Sequence, residues 1–228
     1  MTVAQNMKIS KKTLDILKNF AAIRSSILVD PGNRLTTVSP ARNIMAEAAI
    51  DEEFDTQFAI YDLNKFLGTI SLFQNPEFDF GSKSVLISGA NGASVEYFYS
   101  EPSLLNIQNK RINMPKPVVS FELKQSVFGE LMKAASVLQL PDIFVRSDSN
   151  GNIVIGATDK TQSTSNAYKM EVGETDKTFN FKFKVENMKM MAGDYQVEIT
   201  EKVVSKFTNK NSDLCYWIAL ESDSQYDG

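Results

Sequence analysis

The strongest constraint on the fold is a run of short, period-two strand patterns joined by tight-turn residues and interrupted by amphipathic helices. The succession occurs twice. Asp142–Thr158 (DIFVRSDSNGNIVIGAT) sets β-branched residues on both sides of Asn150-Gly151, a dipeptide suited to a two-residue hairpin turn. Ser84–Tyr99 around Asn91-Gly92 and Ile27–Val38 around Asp30-Pro31-Gly32 predict two further hairpins. Met45–Tyr61 reads as two strands around an acidic turn, and Val118–Leu123 as a strand. Phe179–Val185 alternates Phe with polar residues, and YQVEIT, KVVSKFT and CYWIALE continue an antiparallel series.

Four segments carry the helical period instead. Ser10 is a candidate N-cap before Leu14, Leu17, Phe20 and Ala21. Leu63, Phe66, Leu67 and Ile70 share an arc in 62–73, and Val127, Leu131, Ala134, Ala135 and Leu138 share one in 124–138. Residues 186–194 predict a short helix ended by Gly193. The rhythm restarts after a polar stretch, 108–117, that contains two prolines. The fold class is therefore α+β, with two similar domains, each an antiparallel sheet with two helices on one face. The expected bounds are 1–109 and 118–228, joined by a connector over 110–117.

Chemistry is limited by what is missing. The 228 residues include no histidine and one cysteine, which removes the Ser-His-Asp and Cys-His nucleophiles and the commonest nitrogen ligand of zinc. Cys215, between Leu214 and Tyr216, is expected to be a buried small hydrophobe. The acids at 51–55 read as a polar turn rather than a metal site or an acid/base pair. Asp148-x-Asn150-x-Asn152 lacks the glycine position of a calcium loop, and Ser88–Gly92 lacks the lysine of a phosphate loop. Hence no catalytic residue, metal or cofactor is expected, and the protein is not expected to be an enzyme. No stretch approaches the ~20 apolar residues of a membrane span, so an intracellular protein without a membrane partner is expected.

The net charge of -4 hides a distribution. Lys8, Lys11, Lys12, Lys18 and Arg24 face only Asp15 within residues 8–25, and Lys110, Arg111 and Lys116 crowd the connector. Acids gather at 47–55 and after Asp213. Lysines on the polar sides of amphipathic helices are ordinarily just solvated. If the helices share one side of the sheets, the same lysines form a basic surface for phosphates.

Four stretches, in order, resemble the DNA polymerase processivity factors, or sliding clamps, of T-even-type bacteriophages. They are Lys8–Gly32 (KISKKTLDILKNFAAIRSSILVDPG), Phe58–Leu67 (FAIYDLNKFL), Phe179–Val197 (FNFKFKVENMKMMAGDYQV) and Tyr216–Asp227 (YWIALESDSQYD). The resemblance runs the length of the chain, although Asn75–Pro117 matches poorly and Ala192 stands where relatives tend to carry proline. It implies a DNA-clamp fold and a homotrimeric ring whose inner helices encircle duplex DNA. It implies as partners the replicative polymerase, an ATP-driven clamp loader, and a late sigma-like factor with its coactivator, in the host cell cytoplasm. By the same resemblance, Lys11, Lys12, Lys18 and Lys65 are DNA-contacting residues, with Lys124, Lys133 and Lys189 added by helix register. Leu105, Ile107, Met114, Trp217 and Ile218 are expected at a partner pocket, and an edge strand near Ser103–Gln108. The alternative is a nucleic-acid-binding or virion-assembly module that forms no ring.

Overall fold

Ser10 has an extended backbone, and its hydroxyl accepts from the Thr13 N–H, so the first helix begins where the sequence places its cap. The computed structural model describes residues 5–107 and 112–228. Lys110 and Arg111 of the expected connector, and Gln108 of the expected edge strand, lie outside the described residues. The chain divides into two units, Met1–Lys110 and Arg111–Gly228.

The first unit runs β1 (Gln5–Met7), α1 (Lys11–Ile23), β2 (Ile27–Val29), β3 (Gly32–Val38), β4 (Ile44–Phe54), β5 (Phe58–Ile60), α2 (Leu63–Ile70), β6 (Glu77–Phe80), β7 (Ser84–Ser88) and β8 (Ser94–Phe98). An antiparallel sheet takes the order β1-β6-β7-β8. Helix α1 packs on α2 and buries Ile16, Leu17, Phe20 and Ile23, while α2 buries Leu63, Phe66 and Ile70. Phe54 meets Phe58 and Phe80 with ring centroids 5.1 and 5.2 Å apart.

Three expectations change here. Asn91-Gly92 closes the β7–β8 hairpin, with Gly92 at φ 80, but Asp30-Pro31-Gly32 closes none. Strand β2 pairs with β5 and β3 with β4, so Gly32, at φ 112, turns the chain between two separate pairings. The acids at 51–53 lie inside β4 rather than in a turn: Ile50, Glu52 and Phe54 are buried, Asp51 and Glu53 exposed. Glu52 tolerates burial because its carboxylate accepts from the Ser10 N–H and the Thr13 hydroxyl at the start of α1. In place of the expected edge strand, Pro102–Leu105 forms a 3-10 turn with Pro in its first positions.

The second unit runs β9 (Pro117–Leu123), α3 (Gln125–Val137), β10 (Asp142–Ser147), β11 (Asn152–Thr158), β12 (Tyr168–Glu174), β13 (Phe179–Lys184), β14 (Tyr195–Thr200), β15 (Val204–Asn209), β16 (Leu214–Ala219) and β17 (Gln225–Tyr226). One antiparallel sheet follows the order β12-β11-β10-β13-β17, and β9, β14, β15 and β16 are consecutive neighbours in another. The predicted β10–β11 hairpin forms: Asp148 Oδ1 accepts from the Asn150 and Asn152 N–H groups at 2.9 Å each, and Gly151 sits at φ 81. These bonds hold the Asp148 carboxyl below the usual carboxylate range. Phe179, Phe181 and Phe183 point into the core, as their alternation requires.

The predicted 186–194 helix shrinks to a 3-10 turn, Val185–Asn187. So short a segment gains little from helix propagation. Instead Met191 N–H donates to Tyr216 Oη (3.1 Å), and Tyr195 Oη donates to the Met191 carbonyl (2.7 Å). In α3, Phe128, Leu131 and Ala135 are buried, whereas Leu138 forms the C-cap and is exposed. Cys215 is half-buried rather than buried. Strand β12 was not legible, since its residues are exposed or half-buried and include Gly173.

Candidate nucleic-acid interface

Helix α1 presents Lys11, Lys12 and Lys18 away from its buried arc, with side chains 90%, 47% and 64% exposed. Each has an anionic neighbour. Asp15 lies 2.6 Å from Lys11 Nζ and 3.3 Å from Lys18 Nζ, and Lys12 Nζ lies 2.8 Å from Asp51 of β4. The Lys11 ammonium holds the Asp15 carboxyl below its ordinary range, assisted by Lys18, and Lys12 does the same to Asp51. Exposed pairs of this kind are weakly held and screened by salt, so an incoming phosphate can replace either carboxylate at little cost.

Lys65 is exposed on α2, where Asp62 caps the helix by accepting from the Lys65 N–H at 2.9 Å. Lys133 is exposed on α3. The other two register assignments change. Lys124 is the N-cap residue of α3 and pairs with Glu122 and with Asp194, 3.6 Å away, so its ammonium is directed by carboxylates. Lys189 is exposed but follows the 3-10 turn and lies on no helix. Three lysines are thus brought together on α1, Lys65 joins them on the helix that packs against it, and Lys133 occupies the equivalent kind of surface in the second unit.

Leu105 is 3% exposed and Ile218 0%, so both are core. Trp217 is half-buried with Lys206 Nζ 5.6 Å from its ring centroid, and Ile107 and Met114 are half-buried. A groove of about 560 Å³ lies in the second unit, lined by Pro115, Pro117, Val118, Thr200 and Val203 together with the charged Lys116, Lys177, Glu201 and Lys202. Val203 is 72% exposed and has φ 86, an outlier for a β-branched side chain. Thr200 Oγ1 lies 2.7 Å from the Val204 carbonyl and holds this loop, while Lys177 Nζ donates to the Val118 carbonyl at 2.8 Å. The sequence signal was the Val203-Val204 pair: in a period-two pattern adjacent valines cannot both face the core.

A family model described as DNA polymerase processivity factor matches residues 8–79, and one described as gp45 sliding clamp, C terminal, matches 120–222. The chain is 32% identical to the sliding clamp of Vibrio phage KVP40 over 95% of its length and 100% of the relative's. The chain belongs to the phage sliding-clamp family. It is also 33% identical to the sliding clamps of Escherichia phage RB69 and Enterobacteria phage T4, each over 97% of this chain and 100% of the relative. The clamp fold extends to remote structures. A PCNA from Entamoeba histolytica superposes with TM-score 0.70 at 13% identity, covering 96% of this chain and 100% of that one. A. fulgidus PCNA, solved with the C-terminal region of FEN-1 bound, gives 0.71 at 13% identity over 98% and 100%. The clamp is a processivity factor for phage DNA synthesis by family, and no helix among its described residues is long and apolar enough to cross a membrane.

Proposed function

We propose that this clamp closes into a homotrimeric ring around duplex DNA and tethers the replicative polymerase, with residues 1–109 and 118–228 as its two clamp domains and 110–117 as their connector. The observation that carries the reading is the lysine face of α1, exposed and paired only with exchangeable carboxylates, beside Lys65 on α2. Contacts of ammonium to phosphate are blind to sequence, weaken with salt and permit sliding. In the second unit Lys133 contributes from a helix face, and Lys124 and Lys189 contribute charge from a helix cap and a loop. Topology, rather than tight binding, then keeps the polymerase on its template, and no chemistry is required of the protein.

Ring closure suits one end strand of each sheet. Strand β8 pairs with β7 and β12 with β11, each on one side, and both carry exposed residues along their length. Pairing β8 of one copy with β12 of the next removes both open edges. The polymerase is proposed to dock a short peptide over Val203, where an exposed apolar side chain in a strained loop is bordered by prolines, lysines and Glu201. The clamp loader and the late sigma-like factor with its coactivator are proposed to use the same groove, within the host cytoplasm.

The test is Lys11→Glu with Lys18→Glu. The double variant should keep the fold and a trimeric native mass, yet lose retention on closed circular DNA and shorten the products of the polymerase. Unchanged retention returns these lysines to simple solvation, and a monomeric native mass at micromolar concentration refutes the ring. Val203→Asp should leave DNA retention intact while abolishing the polymerase's gain in processivity.

A further inference from the structure

The second unit carries a basic groove on the face of its five-stranded sheet that points away from the helix. Tyr168 of β12 meets Glu130 of α3 at 3.2 Å, so the neighbouring Lys169 projects to the opposite face. On that face Lys182 stands opposite Phe144, Phe144 opposite Gly156, and Gly156 opposite Lys169, a row across four strands. The groove, about 360 Å³, is bordered by Arg146, Lys160, Lys169, Lys182 and Asn180. Its floor is the Phe144 ring, which lies over Gly156; a Cβ at Gly156 would come within 2.3 Å of Phe144 Cζ. Arg146 rests its guanidinium 4.7 Å from the Phe144 centroid, which orients the fork.

One end of this groove already holds an acidic segment. Asp223 accepts from Lys160 Nζ and Lys182 Nζ at 2.9 Å each, and Glu221 lies 3.6 Å from Lys160. The backbone is held as well, since Glu221 N–H donates to the Lys182 carbonyl and Lys182 N–H donates to Ser224 Oγ. The two ammonium groups, Lys182 foremost, lower the Asp223 carboxyl to about 2. Asp142 and Lys184 pair with each other at 2.6 Å and add no net charge. At the other end Arg146 and Lys169 are exposed.

We propose that this groove docks an acidic peptide segment of a partner protein, its carboxylates seated on Arg146 and Lys169 as Asp223 is seated on Lys160 and Lys182. Charge complementarity and the carboxylate already bound there favour a peptide over nucleic acid. A nucleic-acid strand would want an exposed ring for stacking, and Phe144 is 7% exposed. Arginine on an aromatic platform with a lysine beside it suits bidentate and point contacts to carboxylates.

The experiment is fluorescence anisotropy of a labelled ten-residue peptide of alternating Asp and Gly, titrated with the full-length protein without DNA. Arg146→Ser with Lys169→Ser should weaken binding about tenfold or more. Asp223→Asn, which releases Lys160 and Lys182, should tighten it. Unchanged circular dichroism establishes that both variants fold. Absence of peptide binding, or binding indifferent to both substitutions, overturns the proposal. So does preferential binding of a ten-residue oligothymidylate that the same double substitution abolishes, which assigns the groove to nucleic acid. Because Lys11 and Lys18 take no part, Lys11→Glu with Lys18→Glu should leave peptide affinity unaltered, and failure of the ring reading would leave this result standing.

Discussion

Helices α1 and α3 are both 13 residues long, and both begin under a carboxylate supplied from elsewhere in their own unit. In α1 the donor groups are the Ser10 N–H and the Thr13 hydroxyl, and the acceptor, Glu52, is buried within β4. In α3 the Gln125 N–H donates to Asp194 at 2.8 Å, and that aspartate is 33% exposed on a loop. The same electrostatic device is thus part of the core in one unit and of the surface in the other. The second helical position differs too: the first unit has a capped α2, the second a 3-10 turn followed by a segment pinned through Met191. The helices of the two units are therefore held on unequal foundations.

That inequality can be broken most directly at Glu52. Glu52→Ala strands a buried hydroxyl and an amide, and should cost about 2–3 kcal/mol in chemical denaturation, with the loss of hydrogen-exchange protection confined to the first unit. Next comes Tyr216→Phe, which leaves the Met191 N–H without its acceptor and should cost about 1–2 kcal/mol, read in the second unit alone. Asp194→Ala should be milder, about 0.5–1 kcal/mol, because water reaches the freed N–H. If Asp194→Ala proved as damaging as Glu52→Ala, the contrast between core and surface caps would fail.

Acid should separate the units more gently. Asp223 is lowered from 3.8 to about 2, and Glu122, Asp148 and Asp159 in the second unit are also lowered, against Asp15 and Asp51 in the first. A depressed carboxyl stabilises the fold above its unfolded value and loses that contribution as pH falls through its folded one. Exchange protection in the second unit should therefore decline more than in the first between pH 3.8 and about 2. At the alkaline end, burial raises the Tyr99 and Tyr216 hydroxyls, so stability should fall above pH 10, where the unfolded chain ionises these tyrosines while the folded units still hold them neutral.

Much of this was legible. The α1 and α2 registers sort buried from exposed positions, and both Asn-Gly hairpins form because the dipeptide itself meets the backbone requirement. Asp30-Pro31-Gly32 was misread because turn chemistry fixes where a chain bends, not which strand it then pairs with. The acids at 51–53 resisted reading because burial of Glu52 depends on Ser10 and Thr13, distant in sequence. Lys11, Lys12 and Lys18 could be placed from helical period alone, whereas Lys124 became a cap and Lys189 left the helix with the turn that replaced it. Leu105 and Ile218 were core, and the groove at Val203 depends on a loop conformation that periodicity does not encode.

The two hydroxyls that clasp Met191 also bear on what the segment around it is allowed to be. Because Tyr195 and Tyr216 bond its backbone from the two strands that flank β15, residues 189–192 need no intrinsic helical tendency to keep their place. Their side chains are released from that requirement, and substitutions along this stretch can adjust its charge or bulk while the two tyrosines preserve its path.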